Sequence, residues 1–367
     1  MKKKIFFFLY SLSGGGAERT VINIMNNLDA RKYEIILVLG TQENNDYEEL
    51  LSENINVKIL NCKKLRYCLF ALRKQIIKEK PDLLFSTINS NNIMLLMAKI
   101  LSFKRIPIIV REANNRTQSG KVTVLNKVST YIFYNLVADK IIALSKGVKT
   151  DLIENFNVRK NKITVIYNPV ENKKILKLSK EVVTDLSKEE GEQLIIAAGR
   201  LVEQKDYPTL IKAFHIVSQK VNARLIIMGK GELEDKLLNL CRKLEVEEKV
   251  DFIGFKKNPY KYMRIADVFV LSSKWEGFGH VLVESMATGT PVISTNCKSG
   301  PSEIIGDNKY GLLVPVKDSN VLADNLEKIL MNENEKNKFS KLGKIRSAEF
   351  DAKIITEQYD NVFSQFL

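Results

Sequence analysis

Short apolar runs alternate with longer amphipathic segments through the first half of the chain. The seven runs are Ile5–Tyr10, Ile35–Leu39, Val57–Leu60, Asp82–Ser86, Pro107–Val110, Lys140–Leu144 and Ile163–Tyr167. The segments between them are long enough for helices, of which Ala17–Leu28 and Val124–Leu136 are two examples. Continuous apolar strands that alternate with helices are typical of a parallel sheet covered on both faces.

The alternation stops at a polar segment and then begins again. Asn168-Pro169 is a turn signal, and the polar residues 173–191 lack an apolar period, which predicts a linker. Six further strands are predicted at Leu194–Ala198, Arg224–Met228, Val250–Ile253, Asp267–Leu271, Pro291–Ser294 and Gly311–Val314. Helices are predicted at Pro208–Gln219, Glu232–Leu244, Pro259–Ile265, Val281–Ala287 and Asn320–Leu330. We therefore expect an α/β protein with two Rossmann-like, doubly wound domains that face a cleft.

The expected domain bounds are residues 1–170 and 171–349. A length of 367 residues supports two domains, because single cores rarely grow beyond about 250–300 residues. The last segment, Ile354–Phe366, has apolar residues at helical spacing. We expect this helix, within residues 350–367, to pack back on the first domain.

The composition is that of a globular protein without a disulfide framework. Hydrophobic residues make up 45% and charged residues 27% of the chain, which is ordinary for soluble domains. Its four cysteines form no CxxC pair and there are two histidines, so we expect neither zinc nor disulfides and favour a reducing, cytoplasmic compartment.

The basic, apolar start at residues 1–9 imitates a signal peptide but lacks a cleavage site, and we interpret it as a strand. No apolar run approaches the roughly 20 residues that span a bilayer, so any membrane contact is expected to be peripheral.

Positive charge is concentrated in the first half of the chain. Residues 1–170 hold 27 Lys and Arg against 14 Asp and Glu, and the densest part is residues 58–80. Its basic residues are Lys58, Lys63, Lys64, Arg66, Arg73, Lys74, Lys78 and Lys80, and they are interleaved with Leu65, Tyr67, Leu69, Phe70 and Leu72. This pattern favours an anionic membrane surface as a partner. The alternatives are an amphipathic helix packed on its own sheet, or nucleic acid, for which no recognition motif is present and which we do not expect.

The most distinctive loop follows the predicted strand Asp267–Leu271. Glu276 and two glycines, Gly277 and Gly279, lead into a small-residue helix that carries a second carboxylate, Glu284. The first N–H groups of a helix have no intrahelical partners and attract anions. Carboxylates are acceptors and suit the hydroxyls of sugars. The loop therefore suits a nucleotide diphosphate sugar, although two solvated glutamates in an ordinary turn are an alternative.

Two further strand-to-helix loops carry candidate ligand-binding residues. Gly14, Gly15 and Gly16 follow the first strand, where they permit close approach of the backbone to a ligand. Arg200 and Lys205 follow the strand Leu194–Ala198 and are well placed for a diphosphate, or else form a solvated surface pair.

Together these motifs resemble the retaining family-4 (group 1) glycosyltransferases, which have the glycosyltransferase-B fold and use nucleotide-sugar donors. The resemblance spans essentially the whole chain, and Glu276 and Glu284 match the E-x7-E motif of the family. It rests also on Ser13–Arg19, Gly199–Lys205, Gly254–Phe255, Asn258–Met263 and Ser299–Ile304. The chain is similar to enzymes that extend undecaprenyl-diphosphate-linked or surface-polysaccharide oligosaccharides, including N-acetylgalactosaminyltransferases.

The resemblance implies a role for each motif. Arg200 and Lys205 would hold the donor diphosphate, Glu276 the donor sugar and Glu284 the ribose, while Gly254 and Phe255 would border the base. Donor contacts are also implied for Gly277, Phe278, Gly279, His280 and Val281. The chain has no Asp-x-Asp, and we expect no metal or other cofactor beyond the UDP-sugar. Retention is implied as well, by front-face attack or by double displacement.

One departure from the family concerns the loop after the fifth strand. Many relatives have a histidine where this chain has Ala113. Glu112 is the candidate acceptor-side base, and the alternative is a carboxylate paired with Arg111 or Arg116.

The sequence thus predicts a glycosyltransferase that moves a hexose or N-acetylhexosamine from a UDP-sugar to a lipid-linked glycan at the cytoplasmic membrane face. The rival enzyme is a nucleotide-sugar epimerase of the same architecture, which needs no acceptor. The non-enzymatic alternative is a silent binding subunit, which would not need to retain Arg200, Lys205, Glu276 and Glu284 together.

Overall fold

The chain forms two compact α/β units. The structure is a computed structural model that describes residues 1–13, 15–43, 45, 47–120 and 122–367. Residues 1–169 and 352–367 form the first unit, and residues 170–351 form the second. Within these described ranges, no helix is long and apolar enough to cross a membrane.

The first unit contains a parallel sheet of seven strands. The strands are β1 (Lys3–Leu9), β2 (Tyr33–Leu39), β3 (Asn56–Ile59), β4 (Leu83–Thr87), β5 (Ile108–Glu112), β6 (Lys140–Ala143) and β7 (Ile163–Val165). Their spatial order is β3-β2-β1-β4-β5-β6-β7, and each neighbouring pair is parallel. Residues Ile5 to Leu9 of β1 are buried on both faces, as continuous apolar strands of a covered sheet require.

Helices cover this sheet on both faces. They are α1 (Gly16–Asn27), α2 (Cys68–Glu79), α3 (Asn89–Ser102), α4 (Arg116–Ser119), α5 (Val124–Ile132), a π-helical turn (Phe133–Val137) and α6 (Lys146–Phe156). The helix from the end of the chain, Ala352–Phe363, packs against α1 and supplies Tyr359 and Phe363 to the core of this unit. The Phe363 ring lies 5.6 Å from that of Phe85 in β4.

The second unit repeats the architecture with six strands. They are β8 (Gln193–Ala198), β9 (Ala223–Met228), β10 (Val250–Gly254), β11 (Val268–Leu271), β12 (Val292–Thr295) and β13 (Leu312–Val314). The order is β10-β9-β8-β11-β12-β13, again parallel throughout. The prediction of two doubly wound parallel-sheet domains is confirmed.

The helices of the second unit include three that the sequence analysis missed. The set is α7 (Asn172–Leu178), α8 (Tyr207–Val217), α9 (Glu234–Lys243), α10 (Tyr260–Ile265), α11 (His280–Thr288), α12 (Pro301–Ile305), α13 (Ser319–Met331) and α14 (Glu333–Ala348). The three missed helices are α7, α12 and α14. The helix Ala352–Phe363 of the first unit is α15. The predicted linker at 173–191 is wrong in its first part, because α7 buries Ile175 and packs against α10 and α11.

Each sheet has a point where the strand order reverses. In the second unit this point lies between β8 and β11, whose following loops start at Gly199 and Ser272. Loops from the carboxyl ends of two such strands leave in opposite directions and open a crevice between them. The topology therefore brings together the two loops that carry the predicted cations and the first glutamate.

Candidate active site

The loop that follows β8 carries both predicted cations. Gly199 has φ +154°, and the exposed Arg200 follows it. The 3-10 turn Glu203–Lys205 then returns the chain, so that a Cβ placed on Gly199 would lie 3.1 Å from Lys205 Cε. The hydroxyl of Tyr207 donates to the Gly199 carbonyl at 3.0 Å. This turn holds Lys205 beside the start of the loop.

Hydrogen bonds fasten this loop to the one that follows β11. The Ser272 hydroxyl donates to the carbonyl of Lys205 at 2.7 Å. The backbone N–H of Lys274 donates to the carbonyl of Gln204 at 2.8 Å, and the Gln204 amide donates to the Trp275 carbonyl at 2.9 Å. Because these bonds join backbone to backbone or to short side chains, the relative position of the two loops is fixed.

The side chains of Lys205 and Glu276 meet where these loops join. Lys205 Nζ lies 2.5 Å from Glu276 Oε1, and Ser273 Oγ donates to the same oxygen at 2.6 Å. The two charged side chains are 15% and 9% exposed. Burial, together with the nearby Glu276 carboxylate, raises the pKa of the Cys297 thiol to about 12, so this thiol stays protonated at neutral pH.

The loop then enters α11 through a glycine in the left-handed region. Gly279 has φ +96° and is the N-cap. Among the described residues, no side chain caps this helix, and its first turn contains no acidic residue. The preceding residue, Phe278, is buried and its ring packs edge-on against Phe350 at 5.4 Å and His280 at 5.7 Å. The first turn of α11 therefore supplies no acidic side chain of its own to the helix N-terminus.

The backbone of Gly300 approaches the Glu276–Gly279 loop closely and supports it. A Cβ placed on Gly300, which has φ +85°, would lie 2.2 Å from the carbonyl oxygen of Phe278. No side chain larger than hydrogen fits there without displacement of the backbone. The segment Ser299–Pro301 therefore holds the Glu276–Gly279 loop in place.

Glu284 lies in α11 and points toward a neighbouring helix. Its side chain is buried, and the hydroxyl of Tyr260, the first residue of α10, donates to Oε1 at 3.3 Å. Val281, also a predicted ligand contact, is half-buried in the first turn of α11.

An open cavity of about 550 Å³ lies at the carboxyl ends of β8, β9 and β10. Its lining residues are Ala198, Gly199, Arg200, Met228, Gly229, Lys230, Phe255, Lys256 and Pro259. The predicted contacts Arg200 and Phe255 line it, and Gly254 adjoins it with φ +68°. Lys205, Glu276 and Glu284 are outside this lining, but the Lys205 side chain lies close enough to Gly199, which lines the cavity, to meet a Cβ placed there.

The glycine loop of the first unit is arranged differently. Gly15 is the N-cap of α1 and Gly16 its first residue, while Gly14 lies outside the described residues. The Glu18 carboxylate turns back over this helix start, where a Cβ on Gly15 would lie 2.3 Å from Glu18 Oε2. Burial raises the pKa of Glu18, against the opposing effects of its own backbone N–H and the Arg111 cation.

The structure corrects the surroundings expected for Glu112. This residue ends β5 and is not in a loop; it is 2% exposed, and the Tyr134 hydroxyl donates to its carboxylate at 2.9 Å. Burial raises the pKa of Glu112 above its ordinary value of 4.5, although the Arg116 cation opposes the rise. The Arg111 guanidinium donates instead to Thr87 Oγ1 at 2.9 Å and to Asn168. The role of acceptor-side base stays a prediction, and the burial of the carboxylate disfavours it.

Comparison with known proteins identifies the family. The family model described as "Glycosyl transferases group 1" matches residues 154–346, more than half of the chain. The chain belongs to the group 1 glycosyltransferases. A second model, "Glycosyltransferase Family 4", matches residues 14–174, so the two matches together span both units.

Two relatives of this glycosyltransferase come from Campylobacter jejuni. One is N-acetylgalactosamine-N,N'-diacetylbacillosaminyl-diphospho-undecaprenol 4-alpha-N-acetylgalactosaminyltransferase, which is 31% identical over 95% of this chain and 96% of the relative. The other is an alpha-1,4-N-acetyl-D-galactosaminyltransferase that acts on a diNAcBac-PP-undecaprenol glycan. It is 28% identical over 97% of each chain.

Solved glycosyltransferases share the fold. HepE of Anabaena, in complex with UDP, has a TM-score of 0.84 and 21% identity, and the match covers 99% of this chain and 100% of HepE. WaaG, a glycosyltransferase involved in lipopolysaccharide biosynthesis, has a TM-score of 0.75 and 15% identity, with 98% of this chain and 99% of WaaG covered. The fold is therefore glycosyltransferase-B, as predicted.

The structure adds two cations that the sequence analysis missed. Lys230, after β9, is exposed in the cavity next to Arg200. Lys256, after β10, also lines the cavity and pairs with Asp185 at 2.6 Å, which raises the pKa of Lys256. A basic residue two positions after the end of each of two more parallel strands is the signal that would have found them, because those ends share one edge of the sheet.

Proposed function

We propose that this glycosyltransferase transfers a hexose or N-acetylhexosamine from a UDP-sugar to a lipid-diphosphate-linked oligosaccharide or polysaccharide precursor, with retention of configuration. The supporting observation is the Lys205–Glu276 pair at the reversal point between β8 and β11, where Lys205 belongs to the same loop as Arg200, which lines the cavity. N-acetylgalactosamine is the favoured sugar, and an undecaprenyl-diphosphate-linked glycan is the favoured acceptor. This choice rests on the activities of the two Campylobacter relatives.

In the proposed reaction the second unit binds the donor. Arg200 and Lys205 neutralise the charge that grows on the leaving UDP, which is electrostatic stabilisation by fixed cations and needs no metal ion. The open N-terminus of α11 adds backbone N–H donors for the phosphates. Glu276 accepts hydrogen bonds from sugar hydroxyls, Glu284 from the ribose, and Phe255 borders the base. The UDP complex of HepE supports this donor class.

The proposed site of action is the cytoplasmic face of the membrane, with the first unit in contact with an anionic leaflet. Helix α2 packs on its own unit through Cys68, Leu72 and Ile76, as the internal-packing interpretation expects. Tyr67 and Phe70, however, are 56% and 73% exposed. The basic residues exposed around them are Lys63, Lys64, Arg66, Arg73 and Lys74.

Further apolar side chains are exposed on neighbouring elements of the same unit. Helix α2 packs against α3, and the Arg73 side chain donates to the Leu101 carbonyl at 2.9 Å. Near these helices, α3 is followed by the exposed Phe103. Exposed apolar residues of α5 and the π turn are Val124, Leu125, Val128, Tyr131, Ile132 and Leu136. Exposed aromatic and aliphatic groups beside lysines and arginines suit a membrane interface.

The decisive experiment separates the proposed activity from its two rivals. Purified protein is incubated with UDP-N-acetylgalactosamine, and in parallel with UDP-glucose, with and without an undecaprenyl-diphosphate-linked oligosaccharide. The proposal expects UDP and an extended glycan only when both substrates are present. An epimerised UDP-sugar without acceptor would establish the epimerase, and donor binding without any product would establish the silent subunit.

Membrane contact is tested by co-sedimentation with vesicles of phosphatidylglycerol and phosphatidylcholine. Binding is expected to fall with rising salt, since each Lys or Arg near an anionic surface contributes about 1 kcal/mol that salt screens. Phe70→Ser combined with Leu125→Ser is expected to weaken it further. Binding that ignores salt and both substitutions would exclude this surface.

A further inference from the structure

The two cations of the proposed diphosphate site differ in their resting partners. The Lys205 ammonium is engaged by Glu276 at 2.5 Å, and both side chains are largely buried. Arg200 is exposed, and its side chain makes no hydrogen bond or ion pair with any residue that the structure describes. A diphosphate can therefore bind Arg200 directly, whereas at Lys205 it competes with Glu276 for the ammonium group.

Release of Lys205 leaves Glu276 in need of new donors. A buried carboxylate that loses its cation is strongly destabilised unless hydrogen-bond donors replace it. Ser273 Oγ, which is buried, supplies one donor to Oε1 at 2.6 Å. The hydroxyls of a donor sugar would supply the others, whereas UDP alone brings no group to that position.

We propose that the Lys205–Glu276 ion pair is a latch that makes the site bind an intact UDP-sugar in preference to UDP. With a UDP-sugar, the phosphate takes Lys205 and the sugar hydroxyls take Glu276, so both charges keep partners. With UDP alone, opening the ion pair leaves the Glu276 carboxylate without a cation or sugar hydroxyls, so Lys205 pairs with it again. The latch thereby weakens product binding and favours release of UDP after transfer. This inference rests on the proposed function.

Ser273 is the positioning residue of the latch. Its side chain is buried, and its carbonyl accepts from Thr295 Oγ1 at 2.5 Å, which ties its backbone to the end of β12. Its hydroxyl keeps Oε1 of Glu276 in the same place whether or not Lys205 is bound. Ser273→Ala is expected to raise KM for the UDP-sugar severalfold with little change in kcat, and Ser273→Thr, which keeps the hydroxyl, to restore it. Equal loss in both variants would assign Ser273 to packing alone.

The latch is tested by the dissociation constants of UDP and UDP-N-acetylgalactosamine, measured by calorimetry on the full chain. Glu276→Gln frees Lys205 and is expected to tighten UDP binding by about tenfold, the low end for a charge-assisted hydrogen bond. The same change is expected to weaken UDP-N-acetylgalactosamine. Glu203→Gln is the matched control: its carboxylate pairs with Lys274 at 3.1 Å and is 76% exposed, so both constants should stay within about twofold.

A second variant removes the cation of the Lys205–Glu276 pair instead of the carboxylate. Lys205→Met is expected to leave UDP binding within about twofold of wild type, because Lys205 is held by Glu276 when only UDP is bound. UDP-N-acetylgalactosamine binding should fall by about tenfold or more. UDP binding that is unchanged or weaker in Glu276→Gln overturns the latch while the proposed function stands. A wild-type protein that binds neither nucleotide overturns the proposed function and the latch together.

Discussion

The carboxyl edges of the two sheets carry similar residues in different states. Both have a glycine turn before a helix, an arginine and a carboxylate close to the point where the strand order reverses. In the first unit Arg111 and Glu112 are buried and are hydrogen-bonded within the unit. In the second unit Arg200 is exposed in a cavity of about 550 Å³.

The two helix starts show the same contrast. The Glu18 carboxylate lies over the first turn of α1 and supplies a negative group from within the chain. The first turn of α11 contains no acidic residue, and its N-cap Gly279 offers no side chain. A helix start attracts anions only while its amides are unsatisfied. An acidic side chain within the first helical turn therefore distinguishes the first edge from the proposed donor edge, and residue type at the strand ends does not.

The largest expected effect is a loss of turnover on mutation at the carboxyl edge of the second unit's sheet. Arg200→Ala should lower turnover by about 100- to 1000-fold, because it removes a fixed cation from the proposed leaving-group site. Steady-state transfer rates measure the loss. Arg242→Ala in α9, whose guanidinium donates to Asn239 at 3.0 Å within the same helix, is the control and should turn over normally. A loss of less than tenfold at Arg200 would remove it from the leaving-group site.

A smaller effect is expected at the second carboxylate of the motif. Glu284→Gln keeps an acceptor for the Tyr260 hydroxyl but loses the charge that strengthens hydrogen bonds from a ribose. The difference between charged and neutral hydrogen bonds, roughly 1 kcal/mol, corresponds to about fivefold in the dissociation constant for UDP. Calorimetry measures this constant. An unchanged affinity would remove Glu284 from the proposed ribose site.

The two glycine turns should respond unequally to alanine. Gly279→Ala forces a side chain into φ +96°, which costs about 1–2 kcal/mol. Gly15 has φ −81°, and its new Cβ would meet only the flexible end of Glu18, so Gly15→Ala should cost less than about 1 kcal/mol. Urea denaturation midpoints of the two variants compare the costs, and the reverse order would contradict the described loop geometry.

The smallest effect on turnover is expected from mutation at the carboxyl edge of the first unit's sheet. Glu112→Gln should transfer sugar at close to the wild-type rate, and its folding stability should depend less on pH. Since burial raises the pKa of Glu112, the wild type loses stability as pH rises from about 4.5 through the folded pKa. The advantage of the Gln variant should therefore grow over that range, by at most about 1.4 kcal/mol per pH unit.

Thermal denaturation of both proteins across this pH range tests the stability half of the prediction. A constant difference in stability would show that Glu112 stays charged in the folded protein. A large fall in turnover with an intact fold would instead return Glu112 to the role of acceptor-side base.

The sheets were predictable because their strands are apolar on both faces. Each predicted strand lies within about two residues of an observed one, as for Val57–Leu60 against Asn56–Ile59. Helix α14 was missed because it contacts α11 with few apolar side chains. It buries Phe339, Gly343 and Ser347, and a Cβ on Gly343 would lie 3.3 Å from the Met286 side chain. Close packing through glycine and serine has no apolar period to detect.

The candidate site was only partly predictable. Sequence spacing locates Glu276 and Glu284 relative to each other, but Lys205 and Glu276 lie 71 residues apart. Their ion pair depends on β8 and β11 being neighbours, which follows from the strand order and not from any local pattern. Lys230 was missed for the same reason, because its contribution depends on β9 lying next to β8.

The placement of α15 has a consequence for how the protein is made. Ile355, Tyr359, Val362 and Phe363 belong to the core of the first unit, although all of the second unit precedes them in the chain. On a translating ribosome, the first unit therefore exposes Phe85 and its neighbours until synthesis has passed through residue 351. The second unit, which is continuous in sequence, can complete its core before the first, so we expect the order of folding to be opposite to the order of synthesis.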